Sequence, residues 1–194
     1  MKSEISPKDL FEATMLEHLE VVRGLAQHQG VIEGIALAMT GALLAGGKIL
    51  WCGNGGSAAD SSHLATELAC RFVSDRRPYP ALCLAADGGL MTAIGNDYSF
   101  AELFARQVAA FGSPSDLLIA MTTSGKSENI RRALEQARKQ EMKTIALLGR
   151  DGGFCRGLSD LEILIPYYTT ARIQEAHKVI IHLLCEIVEP DLAK

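Results

Sequence analysis

The sequence predicts an α/β fold: a three-layer sandwich whose five-stranded parallel sheet is flanked by helices on both faces and preceded by two N-terminal helices. Three observations predict it. Five short runs are apolar throughout, as in strands buried on both faces, rather than alternating apolar and polar. Longer segments with apolar residues at three- and four-residue intervals separate them. Glycine- and hydroxyl-rich loops follow the first and third runs, at strand carboxyl ends, where ligands collect in open parallel sheets.

The elements follow in order. Ser6 is a candidate N-cap with Pro7 at the first helical position, and Phe11, Met15, Leu19 and Val22 make an apolar stripe. The segment from Gln27 to Gly30 breaks this helix. Ile32, Ile35, Met39 and Leu43 form a second stripe that stops at Gly46-Gly47. The predicted strands are Lys48–Cys52, Ala81–Leu84, Asp116–Met121, Lys143–Leu148 and Leu161–Ile165. Helices are expected from Ala58 to Phe72, across Gly88 to Phe111, from Ser127 to Gln140 and from about Ala171 to Val188. The whole reads as one domain, with a helical pair over residues 1–46 and an α/β core over 47–194.

Composition narrows the function. The 194 residues carry a formal net charge of -4, which argues against a nucleic-acid binder and its basic face. Five cysteines without CxxC spacing suit reduced thiols, not a disulfide frame or zinc ribbon. Met1–Ser6 has no apolar core of a secretory signal, and no run reaches the ~18 apolar residues of a membrane span. A cytoplasmic protein is expected.

The first site candidate is Gly53-Asn54-Gly55-Gly56-Ser57-Ala58. It matches a loose G-x-G-x-x-A dinucleotide pattern, but that pattern needs an acid about twenty residues on, and Asp87 lies too far away. No nucleotide cofactor is expected. The second is Thr122-Thr123-Ser124-Gly125-Lys126-Ser127, between a strand and a helix start. Ser127 could be an ordinary N-cap. Four hydroxyls in six positions favour a phosphate cradle instead, with helix N–H groups and dipole assisting.

Two helices add acid–base groups. His63 and Glu67 are one turn apart and project from one face, beside buried-type Leu64 and Leu68. A solvated pair is the ordinary reading, but this helix starts at the first loop, which brings a carboxylate toward any ligand bound there. The last helix carries Gln174, His177 and His182. Ile180, Ile181, Leu183 and Leu184 surround His182, which is either a satisfied core residue or a functional group in a dry pocket. The residues alone leave both open.

Taken together, these features resemble a known family. The motifs are GNGGSAAD at 53–60, His63 with Glu67, Gly95-Asn96-Asp97, TTSGKS at 122–127, Asp151-Gly152-Gly153, and Arg172-Ile173-Gln174-Glu175 followed by His182. In that order they resemble phosphoheptose (sedoheptulose 7-phosphate) isomerases, which have the sugar-isomerase (SIS) fold with a flavodoxin-like sheet. The resemblance implies interconversion of sedoheptulose 7-phosphate and D-glycero-D-manno-heptose 7-phosphate, an early step toward bacterial lipopolysaccharide. It implies Glu67 as the base and His182 as the opposing acid/base. It implies phosphate contacts from Thr122, Thr123, Ser124 and Ser127, and further substrate contacts from Asn54, Gly55, Gly56, Ser57, Arg71, Asn96, Asp97 and Gln174. A zinc ion bound by His63, Glu67, Gln174 and His182, and a homotetramer, are implied as well. Ala58, Ala59 and Ala171 depart from polar residues found in some members.

That ligand set poses a geometric problem. Gln174 and His182 are eight residues apart, ~12 Å along one continuous helix, whereas zinc–ligand distances are ~2 Å. Either Gln174 precedes the helix, or the two groups come from different subunits; the second is the expectation. A second functional class, a non-catalytic SIS regulator that binds phosphosugars or proteins, resembles the chain in the GNG and RIQE segments. It lacks the base and the final histidine, both present here.

Overall fold

A computed structural model describes residues 5–194. Met1 to Glu4, part of the segment read for a leader, lie outside them. Helix α1 (Pro7–Gly24) begins as expected, with the Ser6 hydroxyl accepting the Asp9 N–H at 3.1 Å. The expected break is only a 3-10 turn over Leu25–His28, after which α2 (Gln29–Leu44) continues. Its stripe is buried against the sheet. The stripe of α1 is not: Phe11, Met15 and Leu19 are exposed, and Val21 is the helix's buried residue. The helix packs on α7 through a different side and leaves those side chains uncovered within this chain.

Five parallel strands follow, β1 (Ile49–Gly53), β2 (Ala81–Cys83), β3 (Leu117–Thr122), β4 (Lys143–Gly149) and β5 (Leu161–Ile165), in the order β2-β1-β3-β4-β5. Strands β1 and β3 each start one residue later than predicted. Lys48 and Asp116 instead form a joint at the sheet's entry edge, where the Asp116 carboxylate accepts from the Lys48 N–H at 2.9 Å and its ammonium at 2.6 Å. Ser113 donates to the same carboxylate through its N–H and hydroxyl.

Successive strand residues face opposite layers. Trp51, Ile119 and Leu147 pack with α2, α3 (Gly56–Ala69) and α7 (Thr170–Leu192). Leu50, Leu118 and Leu148 pack with α4 (Gly88–Asp97), α5 (Leu103–Phe111) and α6 (Glu128–Lys139). The helical material expected across Gly88 to Phe111 is divided in two, because Ser99 is extended and a 3-10 turn over Phe100–Glu102 intervenes. Asp87, the rejected dinucleotide acid, caps α4 by accepting the Leu90 N–H. None of the described helices is long and apolar enough to cross a membrane.

Chain order reverses between β1 and β3, which are neighbours with Gly53 opposite Met121. This switch point sets the loops after these two strands side by side, the place where such sheets bind ligands.

Candidate active site

The two loops are joined by a reciprocal amide pair. Asn54 Nδ2 donates to Asn129 Oδ1 at 2.9 Å, and Asn129 Nδ2 returns the bond to Asn54 Oδ1 at 2.8 Å. Asn129 is buried in the first turn of α6. It was missed in the sequence, where an asparagine two residues after a serine at a helix start looks like ordinary capping chemistry. Asn54, expected to touch the sugar, keeps one amide N–H for that purpose and commits its other groups to the loop.

In the hydroxyl loop the capping reading of Ser127 fails. Ser127 occupies the N-cap position of α6 without a side-chain bond to the helix. Its hydroxyl lies 3.1 Å from that of Thr122, which also accepts the Gly125 N–H. The first turn of α6 therefore has no side-chain acceptor, and the same holds for α3 and α7. Uncapped amide ends at a strand edge favour an anion. Gly125 has φ 65, and a β-carbon there would collide with the backbone of Gly152. Cys155 N–H donates to the Gly125 carbonyl. The Asp151-Gly152-Gly153 motif thus braces the hydroxyl loop from behind.

Gln174 comes from the first turns of α7, and its amide nitrogen lies where a β-carbon on Gly56 would be. Gly56→Ala is expected to keep the fold within about 1 kcal/mol, because the obstructing group is the end of a flexible side chain. It is expected to displace Gln174 and cut turnover by about tenfold, with thermal unfolding and steady-state kinetics as the check.

The candidate acid–base groups lie elsewhere. On α3 the His63 Nε2 and Glu67 Oε1 are 2.8 Å apart. The His182 ring on α7 meets the His63 ring edge-on at 5.1 Å, and Phe72 stacks beyond it at 6.1 Å. Burial, and after it the charge of Glu67, push the Cys185 thiol on α7 up to about 12. His182 is half-buried, so it is not the dry histidine. His177 is: burial pulls it down to about 4, and its Nε2 lies 3.3 Å from the Leu148 carbonyl, so that nitrogen carries the proton.

Because α3 runs back from the carboxyl edge of the sheet, Glu67 lies eleven residues, ~16 Å, along the helix from Gly56. Helix α7 is unbroken from Thr170 to Leu192, so Gln174 does not precede it, and His182 sits ~12 Å further along. One chain thus presents two clusters. Gly55, Gly56, Ser57, the Thr122–Ser127 loop and Gln174 form the upper one. His63, Glu67 and His182 form the lower one, while Arg71, beyond the end of α3, is exposed and donates to the Val73 carbonyl. Asn96 and Asp97 join neither: they are exposed and hydrogen-bond to each other at 2.9 Å.

Two imidazoles, a carboxylate and an amide are chemically suited to zinc. Within one chain, however, the described residues contain no His, Cys, Asp and Glu group arranged to hold a metal ion. His63 directs Nε2 at Glu67, and Gln174 faces Gly56.

The sheet order and its two loops define a sugar-isomerase domain, and the SIS-domain family model matches residues 11–149. A phosphoheptose isomerase from a Nitratiruptor species is 45% identical over 186 residues, covering 90% of this chain and 98% of that protein. The structure of a phosphoheptose isomerase from Francisella tularensis matches with a TM-score of 0.92 at 38% identity, covering 96% of this chain and all of the other. A Neisseria gonorrhoeae phosphoheptose isomerase matches at 0.88 and 36% identity, covering 94% and 99%. The chain belongs to the phosphoheptose isomerase family.

Proposed function

We propose that this chain is an aldose–ketose isomerase that converts sedoheptulose 7-phosphate to D-glycero-D-manno-heptose 7-phosphate in bacterial heptose synthesis. The observation that carries this reading is the His63–Glu67–His182 group facing across α3 and α7. Glu67 removes a proton from C1 of the ketose while His182 protonates O2, giving an enediol. Glu67 then delivers the proton to C2 as His182 takes the O1 proton, leaving the aldehyde at C1. The hydroxyl loop and the free amides of α6 hold the phosphate. The non-catalytic regulator reading is not favoured. Purified protein is expected to form the aldose from sedoheptulose 7-phosphate, as followed by chromatography; no aldose would refute the activity.

A working site combines the upper cluster of one copy with the lower cluster of another, in a homo-oligomer read as a tetramer. The ~16 Å between Gly56 and Glu67 exceeds the span of an extended seven-carbon sugar from its phosphorus to its second carbon. Exposed Phe11, Leu16 and Leu19 on α1, and Val179, Leu183 and Ile187 on α7, supply apolar surface for association. Co-expressing Glu67→Gln with a Ser124→Ala, Ser127→Ala variant should restore about a quarter of the native sites. No recovery would place both clusters of a site in one subunit. When subunits associate, His63, Glu67 and His182, with Gln174 of a second copy, would hold zinc, whose chemistry is to polarise the substrate oxygens. Elemental analysis of the assembled protein and of His63→Ala tests the metal. A cytoplasmic location is part of the same reading.

A further inference from the structure

A second carboxylate on α7 connects the ends of the two helices that carry the acid–base groups. Glu189 lies two turns beyond His182 and is buried. It accepts from three successive backbone amides of the segment after α3: Phe72 at 3.3 Å, Val73 at 3.0 Å and Ser74 at 3.1 Å. Arg76, its side chain 2% exposed, stands 3.6 Å from the same carboxylate. The guanidinium of Arg76 also donates to the carbonyls of Glu67 at 2.7 Å and Leu68 at 3.0 Å. Its charge thus meets the carbonyl end of α3, where a cation is favoured.

This arrangement has one visible product. The clamped segment carries Phe72, whose ring stacks on His182 with an interplanar angle of 28°. His182 also meets His63 edge-on, and His63 bonds Glu67. The imidazole is therefore in contact with a ring carried by the segment that Glu189 holds and with a ring bonded to Glu67. Neither Glu189 nor Arg76 belongs to the motifs that carry the family resemblance. A carboxylate is costly to bury unless it is hydrogen-bonded and paired, and the three amides with Arg76 meet that condition while holding the segment in one shape.

We propose that Glu189, with Arg76, is a positioning residue for the isomerisation: it fixes the 72–76 segment so that Phe72 orients His182 toward Glu67. This rests on the isomerase reading above, so the test has one arm that needs no turnover. In the wild type, the amides of Phe72 to Ser74 should be protected from hydrogen exchange although much of the segment is exposed. Glu189→Gln should lose that protection. In kinetics with sedoheptulose 7-phosphate, Glu189→Gln should lower kcat at least tenfold with KM within about twofold. Glu189→Asp, which retains the charge, should recover most of kcat. Should Glu189→Gln fail to fold, Phe72→Leu decides, because it removes the stacking ring and leaves the clamp intact; it should also lower kcat with KM unchanged. Wild-type kcat in Phe72→Leu, or a Glu189→Gln effect confined to KM, would overturn the proposal. Unprotected amides in the wild type would overturn the clamp itself, whatever the enzyme's substrate. Absence of wild-type turnover together with protected amides would refute the isomerase reading and, with it, the positioning role.

Discussion

Glu67→Gln is expected to lower turnover of sedoheptulose 7-phosphate by about 10²- to 10⁴-fold, the range that a positioned general base contributes. The substitution keeps the size and planarity of the side chain and removes the proton acceptor. The amide can still bond to His63, whose Nε2 lies 2.8 Å from the carboxylate in the native chain. Leu64 and Leu68 anchor the helix on the core face and are untouched. KM should therefore stay near the native value while kcat falls, the pattern of a lost transition-state interaction. Steady-state kinetics beside a thermal unfolding curve separates this from damage to the fold. Undiminished turnover in the variant would remove Glu67 from the chemistry.

The largest expected stability effect lies at the opposite edge of the sheet. Asp116→Ala should cost about 3–5 kcal/mol, because it strips a buried charge from its partner. It also leaves the Lys48 and Ser113 amides without an acceptor. Burial alone would raise the Asp116 pKa, but the hydrogen bonds from Lys48 and Ser113 outweigh it and hold the carboxyl below its usual value. A folded-state pKa below the unfolded one means that the contribution is complete above the ordinary aspartate value of ~3.9 and disappears as pH falls through the lower folded value. Urea midpoints of wild type and Asp116→Ala should differ widely at neutral pH, and the gap should narrow as pH falls below the ordinary aspartate value and through the lower folded one. A gap that did not narrow would show that the joint is not electrostatic. Because the joint sits at the entry edge, away from the loops, activity per folded molecule should not change.

Much of the architecture was legible because its signals are local. The five apolar runs became the five strands to within about a residue at their ends. The boundary errors at β1 and β3 arose where Lys48 and Asp116 bond to each other across 68 positions, a pairing no window of sequence displays. Where the helical material across Gly88–Phe111 divides was not legible, because Ser99 is unremarkable as a residue and extended only in context.

The candidate site divides in the same way. Glycines, hydroxyls and the His63/Glu67 spacing announced chemistry at particular strand ends and helix faces. The sequence also separated Gln174 from His182 by its own arithmetic, since a helix advances a fixed distance per residue. It did not show which histidine was dry. His182 stands in the more apolar run yet is half-buried, while His177 turns inward to the Leu148 carbonyl and is neutral.

The sequence by itself determined the fold class and singled out the two candidate loops and the candidate acid–base groups, because periodicity and residue chemistry are properties of short segments. Only the tertiary structure decided which groups meet. Asn54 and Asn129 meet across two strands, His63 and His182 across two helices, and Glu189 with the 72–74 amides across 115 or more positions. Such contacts depend on the sheet order and on the direction in which each helix runs back from it. The same directions carry the glycine loop that opens α3 and the Glu67 carboxylate to separate ends of that helix.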